Sequence, residues 1–413
     1  MKHVVIVGGG VIGLSAALAC GRRGHRVSVI ERAPTRRGAS LGNAGMIVPS
    51  HFTPLAAPGM IALGLKWMWN PESPFYIKPR LDWDLITWAA RFWRASTRRR
   101  VDRAAPLLRD LHLASREAYA RLAEEEEFGL VKRGLLMLCK TAHALEEETQ
   151  TAAKARELGV PAQLLDARQT AALDPDVTMD IAGSVYFEQD CHCDPARYVA
   201  ALERRLRSAR AELIYDAEVT GWRREGAQLS AVVTTRGEIA ADEFVLAGGA
   251  WSPALVQELG LRLSMQAGKG YSVTLPQPIE RPRLCSILTE ARVAATPMGD
   301  TLRFGGTMEI AGMNEQINPR RVAGILRAVP AYFPRFRPEH FEGVQPWCGL
   351  RPCSPDGLPY LGRTRAAANL VVATGHAMMG LSLAPVTGEL VGQLIDHEPP
   401  RIDLKLLDVD RFA

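Results

Sequence analysis

The sequence predicts two fold classes in one chain. An α/β domain, built on a parallel sheet and discontinuous in sequence, carries an inserted α+β domain with a mostly antiparallel β-sheet. Three observations predict this. A glycine-rich turn joins two apolar strand patterns at the N-terminus, similar strand patterns recur in the middle and near the C-terminus, and short β patterns alternate with turns between them. A chain of 413 residues is long enough for two domains.

The N-terminal segment has the order of a Rossmann-like unit. Val4–Val7 is a β-branched apolar run typical of a buried strand, and helix formers follow from Val11 to Cys20. A second strand pattern, Val27–Ile30, ends at Glu31. A Gly-x-Gly-x-x-Gly motif joins the first strand to the helix. This context of strand, helix, strand and acid is much more specific than the motif alone.

Each glycine of this turn has a mechanical reason. Gly8 permits the tight turn, Gly10 lets a pyrophosphate approach the backbone, and Gly13 lets helix and strand pack closely. The helix N-terminus faces the phosphates, and the acid accepts a hydrogen bond from a ribose hydroxyl. We therefore predict a dinucleotide site formed by Gly8, Gly10, Val11, Ile12, Gly13, Glu31 and Arg32. The alternative is a glycine-rich turn that binds nothing.

Composition limits the function classes. The net charge of +5 is small for this length, so charge gives no argument for nucleic-acid binding. The seven cysteines are scattered and odd in number, which indicates no disulfide framework. Three glycines interrupt the N-terminal apolar run, so we interpret it as a retained strand rather than a signal peptide. No other stretch has the apolar length to span a bilayer, and we predict a cytoplasmic protein.

The remaining elements alternate between the two domains. Helix patterns occur at 107–128, 142–158, 194–209, 252–259, 319–329 and 382–396, and strand patterns at 134–139, 184–187, 212–215, 219–224, 230–235, 243–246, 270–275, 291–296, 302–307 and 370–373. We predict that residues 1–58, 183–261 and 345–413 form the nucleotide-binding domain. Residues 59–182 and 262–344 would form the inserted domain.

The segment 59–103 is rich in tryptophan and arginine. It holds Trp67, Trp69, Trp83, Trp88 and Trp93 and ends in three consecutive arginines. Leu85, Trp88, Ala89 and Phe92 have helical spacing, with Asp82 available as the N-cap. One interpretation is a helix that packs its aromatic face on the core. The other is a basic, aromatic patch that contacts a membrane surface from the cytoplasmic side.

Collinear motifs along almost the whole chain carry a resemblance to a known family. They are VVIVGGGVIGLSAALAC, GASLGNAGMIVP, LAAPG, DPARYVAAL, VLAGGAWSP, KGYSVT, RFGGTMEI, WCGLRPCSPDGLPYLG and VATGHAMMGLSLAPVTGEL. The sequence resembles the glycine oxidase/D-amino acid oxidase family of flavoproteins, and most of all its D-amino acid dehydrogenase branch. The resemblance implies FAD on the Rossmann-like domain and substrate at the face of the other domain's sheet. It also implies hydride transfer from the substrate Cα to flavin N5, without an essential acid–base side chain.

The resemblance extends the cofactor site beyond the N-terminal turn. It implies that Ser40, Asn43, Ala44 and Gly45 run along the pyrophosphate and flavin ring, that Val219 meets the adenine, and that Ala247, Gly248 and Gly249 lie near the ADP half. Gly375, His376, Gly380 and Leu381 precede or begin the last helix, whose N-terminus would face the part of the flavin that gains negative charge on reduction. His376 is either a donor to the ring or a turn residue.

Arg351 is the predicted substrate anchor. A guanidinium binds a carboxylate bidentately, and the resemblance places such an arginine in the GLRP motif. The alternative is a structural salt bridge. Tyr271 could add a hydroxyl to the same carboxylate or simply pack in its strand, and Arg303 is a weaker second anchor. His51 either binds substrate and gates access or is a plain loop histidine.

Two cysteine-containing segments are predicted to have no metal and no covalent flavin. Cys191-His192-Cys193 lacks further ligands at workable spacing, so we predict no metal site. Cys348 lies one residue away from where sarcosine oxidases of this superfamily tether their flavin, so we predict non-covalent FAD.

The predicted function is a flavin dehydrogenase that oxidises a D-amino acid to the imino acid and passes electrons to a quinone or other carrier. The segment YFEQDCHCDPARYV and the tryptophan-rich stretch resemble relatives that act on D-proline or cis-4-hydroxy-D-proline. One alternative is an oxygen-using oxidase of glycine, sarcosine or D-amino acids. An alternative of another class is a non-catalytic FAD-binding subunit or redox-responsive interaction protein.

Overall fold

The computed structural model describes residues 1–35, 38–68 and 72–413, without the side chains of Leu65 and Met68. Trp69 therefore lies outside the described residues. The helices of the described chain are α1 (Val11–Arg22), α2 (Met60–Met68), α3 (Trp83–Ala95), α4 (Arg98–Glu125), α5 (Ala142–Glu157), α6 (Ala167–Leu173), α7 (Pro195–Ser208), α8 (Ser252–Val256), α9 (Pro319–Tyr332) and α10 (Gly380–Ile395).

The strands of the described chain form four sheets. They are β1 (His3–Val7), β2 (Arg26–Ile30), β3 (Met46–Ile47), β4 (Phe75–Ile77), β5 (Leu135–Cys139), β6 (Gln163–Asp166), β7 (Gly183–Phe187), β8 (Cys191–His192), β9 (Glu212–Ile214), β10 (Val219–Glu225), β11 (Gln228–Thr234), β12 (Gly237–Ala240), β13 (Glu243–Leu246), β14 (Gln266–Leu275), β15 (Cys285–Leu288), β16 (Val293–Met298), β17 (Thr301–Ile310), β18 (Trp347–Cys353), β19 (Tyr360–Thr364) and β20 (Ala367–Thr374).

The first large sheet is parallel and discontinuous in sequence, as predicted. Its six strands have the order β19-β20-β13-β1-β2-β9, and every neighbouring pair is parallel except β19 with β20. Strands from the N-terminus, the middle and the C-terminus thus share one sheet. The strands β1, β13 and β20 are almost fully buried because α1 and α10 cover one face of the sheet and the three-stranded sheet β10-β11-β12 covers the other. Burial on both faces explains their apolar runs without alternation. Helices α1 and α10 pack closely against each other.

The second large sheet has nine strands and is mostly antiparallel. Its order is β18-β14-β17-β16-β15-β5-β7-β6, with β4 added beside β17, and only the pairs β15–β5 and β17–β4 are parallel. Two strands correct the predicted domain ranges. β7 and β18 begin the segments 183–261 and 345–413 that we assigned to the nucleotide-binding domain, but they hydrogen-bond into this sheet. Pairing with strands distant in sequence decides which sheet β7 and β18 join. The sequence could not predict this, because a short apolar run does not specify the strand with which it pairs.

The tryptophan-rich segment contains two consecutive helices. Asp82 caps α3 as predicted, accepting hydrogen bonds from the backbone of Asp84 and Leu85. Ala89, which we placed on the inner face, is exposed. Helix α4 begins nine residues earlier than predicted, at Arg98 after the N-cap Thr97. The arginines of its first turns show no apolar periodicity, so the pattern gave no signal there.

The last helix corrects the prediction that no later segment could span a bilayer. Residues 377–395 are long and apolar enough by length and composition, but 61% of the segment is buried inside the molecule. Its neighbours are α1 and α4. Such burial is typical of the core helix of a globular protein, and we interpret α10 as one.

Candidate active site

A cavity of about 970 Å³ lies between the two large sheets. Its lining includes most of the predicted site residues: Gly8, Gly10, Val11, Ile12, Glu31, Arg32, Ser40, Asn43, Ala44, His51, Val219, Ala247, Gly248, Gly249, Tyr271, Arg351, His376, Gly380 and Leu381. Four predicted residues do not line it, namely Gly13, Gly45, Arg303 and Gly375. The fold thus brings residues from the beginning, middle and end of the chain to one continuous space.

The N-terminal turn is closely packed. A β-carbon on Gly8, whose φ is +114°, would lie 2.4 Å from the carbonyl oxygen of Ala247, and one on Gly13 would lie 1.9 Å from the carbonyl oxygen of Gly8. Gly13 therefore acts behind the cavity, by letting α1 approach β1. Gly10 instead lines the cavity, and a β-carbon there would make only an ordinary contact, with Ser40 Oγ at 3.5 Å.

One end of the cavity has the features of an adenosine site. The carboxylate of Glu31 accepts hydrogen bonds from the backbone N–H groups of Gly9 and Ala33, both at 2.9 Å. These bonds hold the carboxylate at the C-terminal end of β2, beside the glycine turn. The Arg32 guanidinium lies 3.8 Å from the ring centroid of Trp251, and Val219 forms part of the wall. A flat basic and aromatic wall beside a fixed carboxylate suits a nucleoside.

Two helix N-termini open onto the cavity. Helix α1 starts after its N-cap Gly10, and α10 starts after its N-cap Met379. In both helices, the N-cap residue makes no side-chain hydrogen bond to the backbone N–H groups of the first turn. Ser40 Oγ accepts from the Val11 N–H at 3.2 Å. The positive ends of both helix dipoles therefore favour electron-rich groups at two separate points of the cavity.

His376 is turned away from a ligand role by its hydrogen bond. Its Nε2 lies 3.1 Å from Thr387 Oγ1 of α10, and burial lowers the pKa of the imidazole to about 3. The ring is thus neutral and bonded within the helix it precedes. This supports the turn-residue interpretation rather than the ring-donor interpretation.

Arg303 holds a loop instead of facing the cavity. Its Nη1 donates to the carbonyl oxygens of Leu41 and Asn43 at 2.9 and 2.7 Å, and its Nε donates to Thr274 Oγ1. The prediction that it is a second substrate anchor is therefore wrong for this structure. Gly45 does not line the cavity either, and its N–H donates to Asn43 Oδ1, which shapes the same loop.

Arg351 presents a half-buried positive charge to the cavity. Its guanidinium donates to the backbone carbonyls of Thr307 and Gly306 and pairs with no acidic side chain among the described residues. Burial lowers the pKa of Arg351, but a guanidinium stays charged because its ordinary pKa is so high. Thr307 adopts a left-handed φ of +65°, a strained conformation for a β-branched residue. Within the described part of the chain, Arg351 thus forms no structural salt bridge of the kind considered from sequence.

Tyr271 is a lining residue of the cavity, but its hydroxyl is occupied. The hydroxyl donates to Glu309 Oε2 at 2.5 Å, and Lys269 lies 3.7 Å from the same carboxylate oxygen. Burial and the neighbouring carboxylate together raise the pKa of Tyr271 well above its usual range. The hydroxyl is therefore neutral and already hydrogen-bonded, which favours the packed-tyrosine interpretation over a carboxylate contact.

A buried hydrogen-bonded chain positions His51. Ser50 Oγ donates to Asp190 Oδ2 at 2.5 Å and lies 2.9 Å from His51 Nδ1. Ser50 thus links the Asp190 carboxyl to Nδ1 of His51, and it is Nε2 of the ring that is left for a ligand. Burial and Arg292 lower the pKa of His51 to about 4, so the imidazole is neutral near pH 7.

Arg292 and Trp347 are among the cavity residues that the sequence prediction missed. Arg292 precedes β16 with a left-handed φ of +54° and has no ion pair among the described residues. Trp347 packs where β-carbons on Gly42 and Gly349 would lie 2.0 and 2.2 Å from its ring. The spacing Trp-x-Gly within the GLRP motif was a usable signal for Trp347. The sequence around Arg292 gave no such signal, because only the folded turn places this residue in the cavity wall.

Neither cysteine segment faces the cavity. Cys348 on β18 does not line the cavity, and its thiol donates to the Glu315 carbonyl at 2.8 Å. Cys191 and Cys193 are buried, and burial raises the pKa of Cys191 to about 12. Within residues 1–35, 38–68 and 72–413, no three His, Cys, Asp or Glu side chains cluster as metal ligands would.

Comparison with known proteins shows which family of proteins has this fold and cavity. Residues 3–394 match the model of the DAO family, described as FAD dependent oxidoreductase. The chain belongs to this family of FAD-dependent oxidoreductases. Among curated proteins, it is 30% identical to a D-amino acid dehydrogenase of Helicobacter pylori, over 95% of this chain and 94% of that one. It is 33% identical to a D-amino acid dehydrogenase of Cereibacter sphaeroides, over 100% of this chain and 95% of the relative.

Solved structures share the fold over the full length. Glycine oxidase from Geobacillus kaustophilus superposes with a TM-score of 0.79 at 26% identity, covering 100% of both chains. L-proline dehydrogenase from P. horikoshii superposes with a TM-score of 0.74 at 18% identity, covering 100% of this chain and 97% of that one. At that identity, the second likeness concerns the fold alone.

The described residues fit FAD. The cavity is at the upper end of the range for ligand sites, as a cofactor of this length together with a substrate requires. A bare glycine turn and the α1 N-terminus suit the pyrophosphate, and the fixed carboxylate of Glu31 suits the ribose. The α10 N-terminus suits the electron-rich edge of the flavin ring.

Proposed function

We propose that this protein is a dehydrogenase that oxidises the Cα–N bond of a D-amino acid to the imino acid. D-proline and cis-4-hydroxy-D-proline are the cyclic substrates we favour, and a quinone or another electron carrier accepts the electrons. The observation that carries the proposal is Arg351, a half-buried cation in the cavity wall without an acidic partner among the described residues.

The surroundings of Arg351 suit a carboxylate. Its bonds to two backbone carbonyls fix the guanidinium, while the remaining N–H groups of its five donors are available to a ligand. An unpaired buried charge is costly, and a bound carboxylate removes that cost. Arg292 adds a second positive charge to the cavity lining. A substrate that carries a carboxylate beside its amine satisfies this site.

The same end of the cavity is mostly apolar beyond the arginines. Leu55, Met60, Trp67, Phe75, Met308 and Met378 line it. These side chains suit the hydrocarbon part of a small amino acid, including a pyrrolidine ring, and exclude water from the reacting carbon. Curated relatives at 30–33% identity bear the name D-amino acid dehydrogenase, which supports the D configuration.

No residue is assigned as an essential acid or base. When bound, FAD supplies the two-electron acceptor for the C–H bond next to the amine. Neutral His51 is held by Ser50 and Asp190, and its Nε2 suits a hydrogen bond with the substrate amine. The Tyr271 hydroxyl is occupied by Glu309. The chain's contribution is therefore to bind the carboxylate, orient the Cα–H and keep the site dry.

The test is anaerobic reduction of the holoenzyme, measured as bleaching of flavin absorbance, with D- and L-amino acids, both prolines, hydroxyproline isomers, glycine and sarcosine. We expect bleaching by D-amino acids and a substrate Kd raised at least about tenfold in Arg351→Lys, since lysine loses the bidentate contact. The exposed Arg262→Lys serves as the matched control.

Three outcomes would contradict the proposal. If no amine bleaches the flavin, the protein is a non-catalytic FAD-binding protein. If aerobic turnover without a dye consumes oxygen and forms peroxide at the rate of dye-linked turnover, it is an oxidase. If Arg351→Lys binds substrate as tightly as the Arg262→Lys control, the carboxylate anchor is another residue.

A further inference from the structure

Helix α3 has two apolar faces, and only one of them is buried. Its inner face carries Leu85, Trp88 and Phe92, which pack against Met308 and neighbouring residues. The indole Nε1 of Trp88 donates to the Cys353 carbonyl at 2.9 Å. The inner face is enough to attach the helix to the fold. Packing within the chain therefore gives no reason for the opposite face to be apolar.

The outer face exposes large hydrophobic side chains to solvent. Trp83 is 77% exposed, Ile86 46% and Trp93 67%, and Leu81 just before the helix is fully exposed. With the exposed Ala90, the spacing i, i+3, i+7 and i+10 places these helix residues on one side. Trp83 and Trp93 are also the only exposed tryptophans among the described residues. We call Leu81, Trp83, Ile86, Ala90 and Trp93 the outer patch.

Positive charge adjoins the outer patch at its C-terminal end. Arg94, Arg98, Arg99, Arg100 and Arg103 are all exposed, and none forms an ion pair within the described part of the chain. The acidic residues nearby are few. Asp82 is engaged as the helix cap and with Arg80, Asp102 lies 3.9 Å from Lys154, and Asp84 lies in the first turn of α3.

The outer patch lies behind the substrate end of the cavity. The inner face of α3 belongs to a hydrophobic cluster that also includes Leu55, Phe75 and Met308, all of which line the cavity. One layer of side chains therefore separates the cavity from the helix that carries the patch. Anything that docks on the patch lies next to the end of the cavity where Arg351 binds its ligand.

We propose that the outer patch and its arginines dock on an anionic membrane surface, with α3 lying in the headgroup plane. Tryptophan and isoleucine at the interface, next to arginines that pair with no acid among the described residues, match the chemistry of anionic lipid headgroups over acyl chains. The docking itself is independent of the reaction. One consequence rests on the proposed function: docking brings the substrate end of the cavity close to the layer in which a quinone dissolves.

The test is flotation of the full-length holoenzyme with vesicles of phosphatidylcholine mixed with phosphatidylglycerol, compared with phosphatidylcholine alone. We expect binding to the anionic vesicles that weakens as salt is added. The double variant Trp83→Ser/Trp93→Ser should bind at least about tenfold more weakly, because it loses the inserted aromatic area. The triple variant Arg98→Gln/Arg99→Gln/Arg100→Gln should lose on the order of 100-fold.

Matched controls change equally exposed residues elsewhere. The double variant Leu164→Ser/Ile279→Ser and the triple variant Arg207→Gln/Arg262→Gln/Arg365→Gln should bind vesicles like the wild type. Flavin absorbance and melting temperature check that each variant is folded. The proposal is overturned if the wild type does not float with anionic vesicles, or if the patch variants bind no worse than their controls.

Flotation tests the membrane proposal, and substrate-dependent bleaching tests the proposed function, so either proposal can fail without the other. If the wild type does not bind vesicles but its flavin is bleached normally, the membrane proposal is wrong and the proposed dehydrogenase reaction is unaffected. If the tryptophan variant instead converts a dimer to a monomer in solution while the wild type ignores vesicles, the patch is an interface between copies of this chain.

Discussion

The guanidinium of Arg351 occupies the space in which Gly270 has no side chain. A β-carbon at Gly270 would lie 2.1 Å from Nη2 of Arg351 and 2.4 Å from Nη1. The two residues belong to neighbouring strands, since Gly270 pairs with Gly349 and Arg351 with Gly268. The glycine therefore decides where the arginine side chain can lie.

Substitution of Gly270 by alanine should weaken substrate binding without unfolding the protein. The β-carbon meets the far end of a flexible side chain, so Arg351 moves and the backbone stays. We expect the substrate Kd, measured by anaerobic flavin bleaching, to rise at least about tenfold, as for loss of a bidentate contact. Gly21→Ala is the control, because its β-carbon meets nothing within 4 Å. An unchanged Kd in Gly270→Ala would show that the position of Arg351 is unimportant.

Replacement of Arg303 by glutamine should affect FAD rather than substrate. The guanidinium fixes the backbone of Leu41 and Asn43, in the loop that lines the cavity. Losing these charge-assisted bonds should raise the Kd of FAD about tenfold or more, as titration of the apoprotein with FAD would measure. The substrate Kd of the FAD-saturated enzyme should stay within about twofold of wild type, because Arg303 does not line the cavity. A larger loss of substrate affinity than of FAD affinity would restore Arg303 as an anchor.

Asp190 should make stability depend on pH. Burial raises the pKa of this carboxyl to about 7, although hydrogen bonds from Ser50 and the charge of Arg116 oppose the shift. Between the ordinary pKa of 3.8 and about 7, the unfolded chain releases the proton while the folded protein retains it. The folded state therefore loses stability as pH rises through this window, and the loss is constant above it.

The variant Asp190→Asn removes this effect, because an amide does not ionise. We expect its free energy of unfolding, relative to wild type, to rise with pH between about 4 and 7, by up to about 4 kcal/mol. Urea unfolding at a series of pH values measures this difference. The exposed Asp403→Asn should show no such trend. A flat difference for Asp190→Asn would mean that the folded carboxyl ionises as it does in water.

Acid precipitation should release all of the FAD. Cys348 does not line the cavity, and its thiol donates to the Glu315 carbonyl. It is therefore not available to the flavin. The supernatant should contain one FAD per chain for both wild type and Cys348→Ser, by absorbance. Flavin that stays with the wild-type precipitate, but not with that of Cys348→Ser, would reveal a covalent link.

The sequence by itself determined the features that depend only on interactions between residues close together in the chain. The glycine spacing around Gly8 and Gly13 predicts the first turn, because each glycine answers a close contact within one strand–helix unit. Asp82 and Asp194 predict helix starts, since a cap acts over three residues. The motifs along the chain were sufficient for the family, which the comparisons confirm.

Tertiary structure alone decided which side chains face the cavity. Arg303 and Arg351 both lie in strands of the second sheet, and nothing local separates the one that holds a loop from the one that lines the cavity. Strand pairing fixes this, since a shift of one residue turns every side chain to the other face. For the same reason β7 and β18 could not be placed from their own residues. The contact between Gly270 and Arg351 joins residues 81 positions apart, and only the folded sheet brings them together.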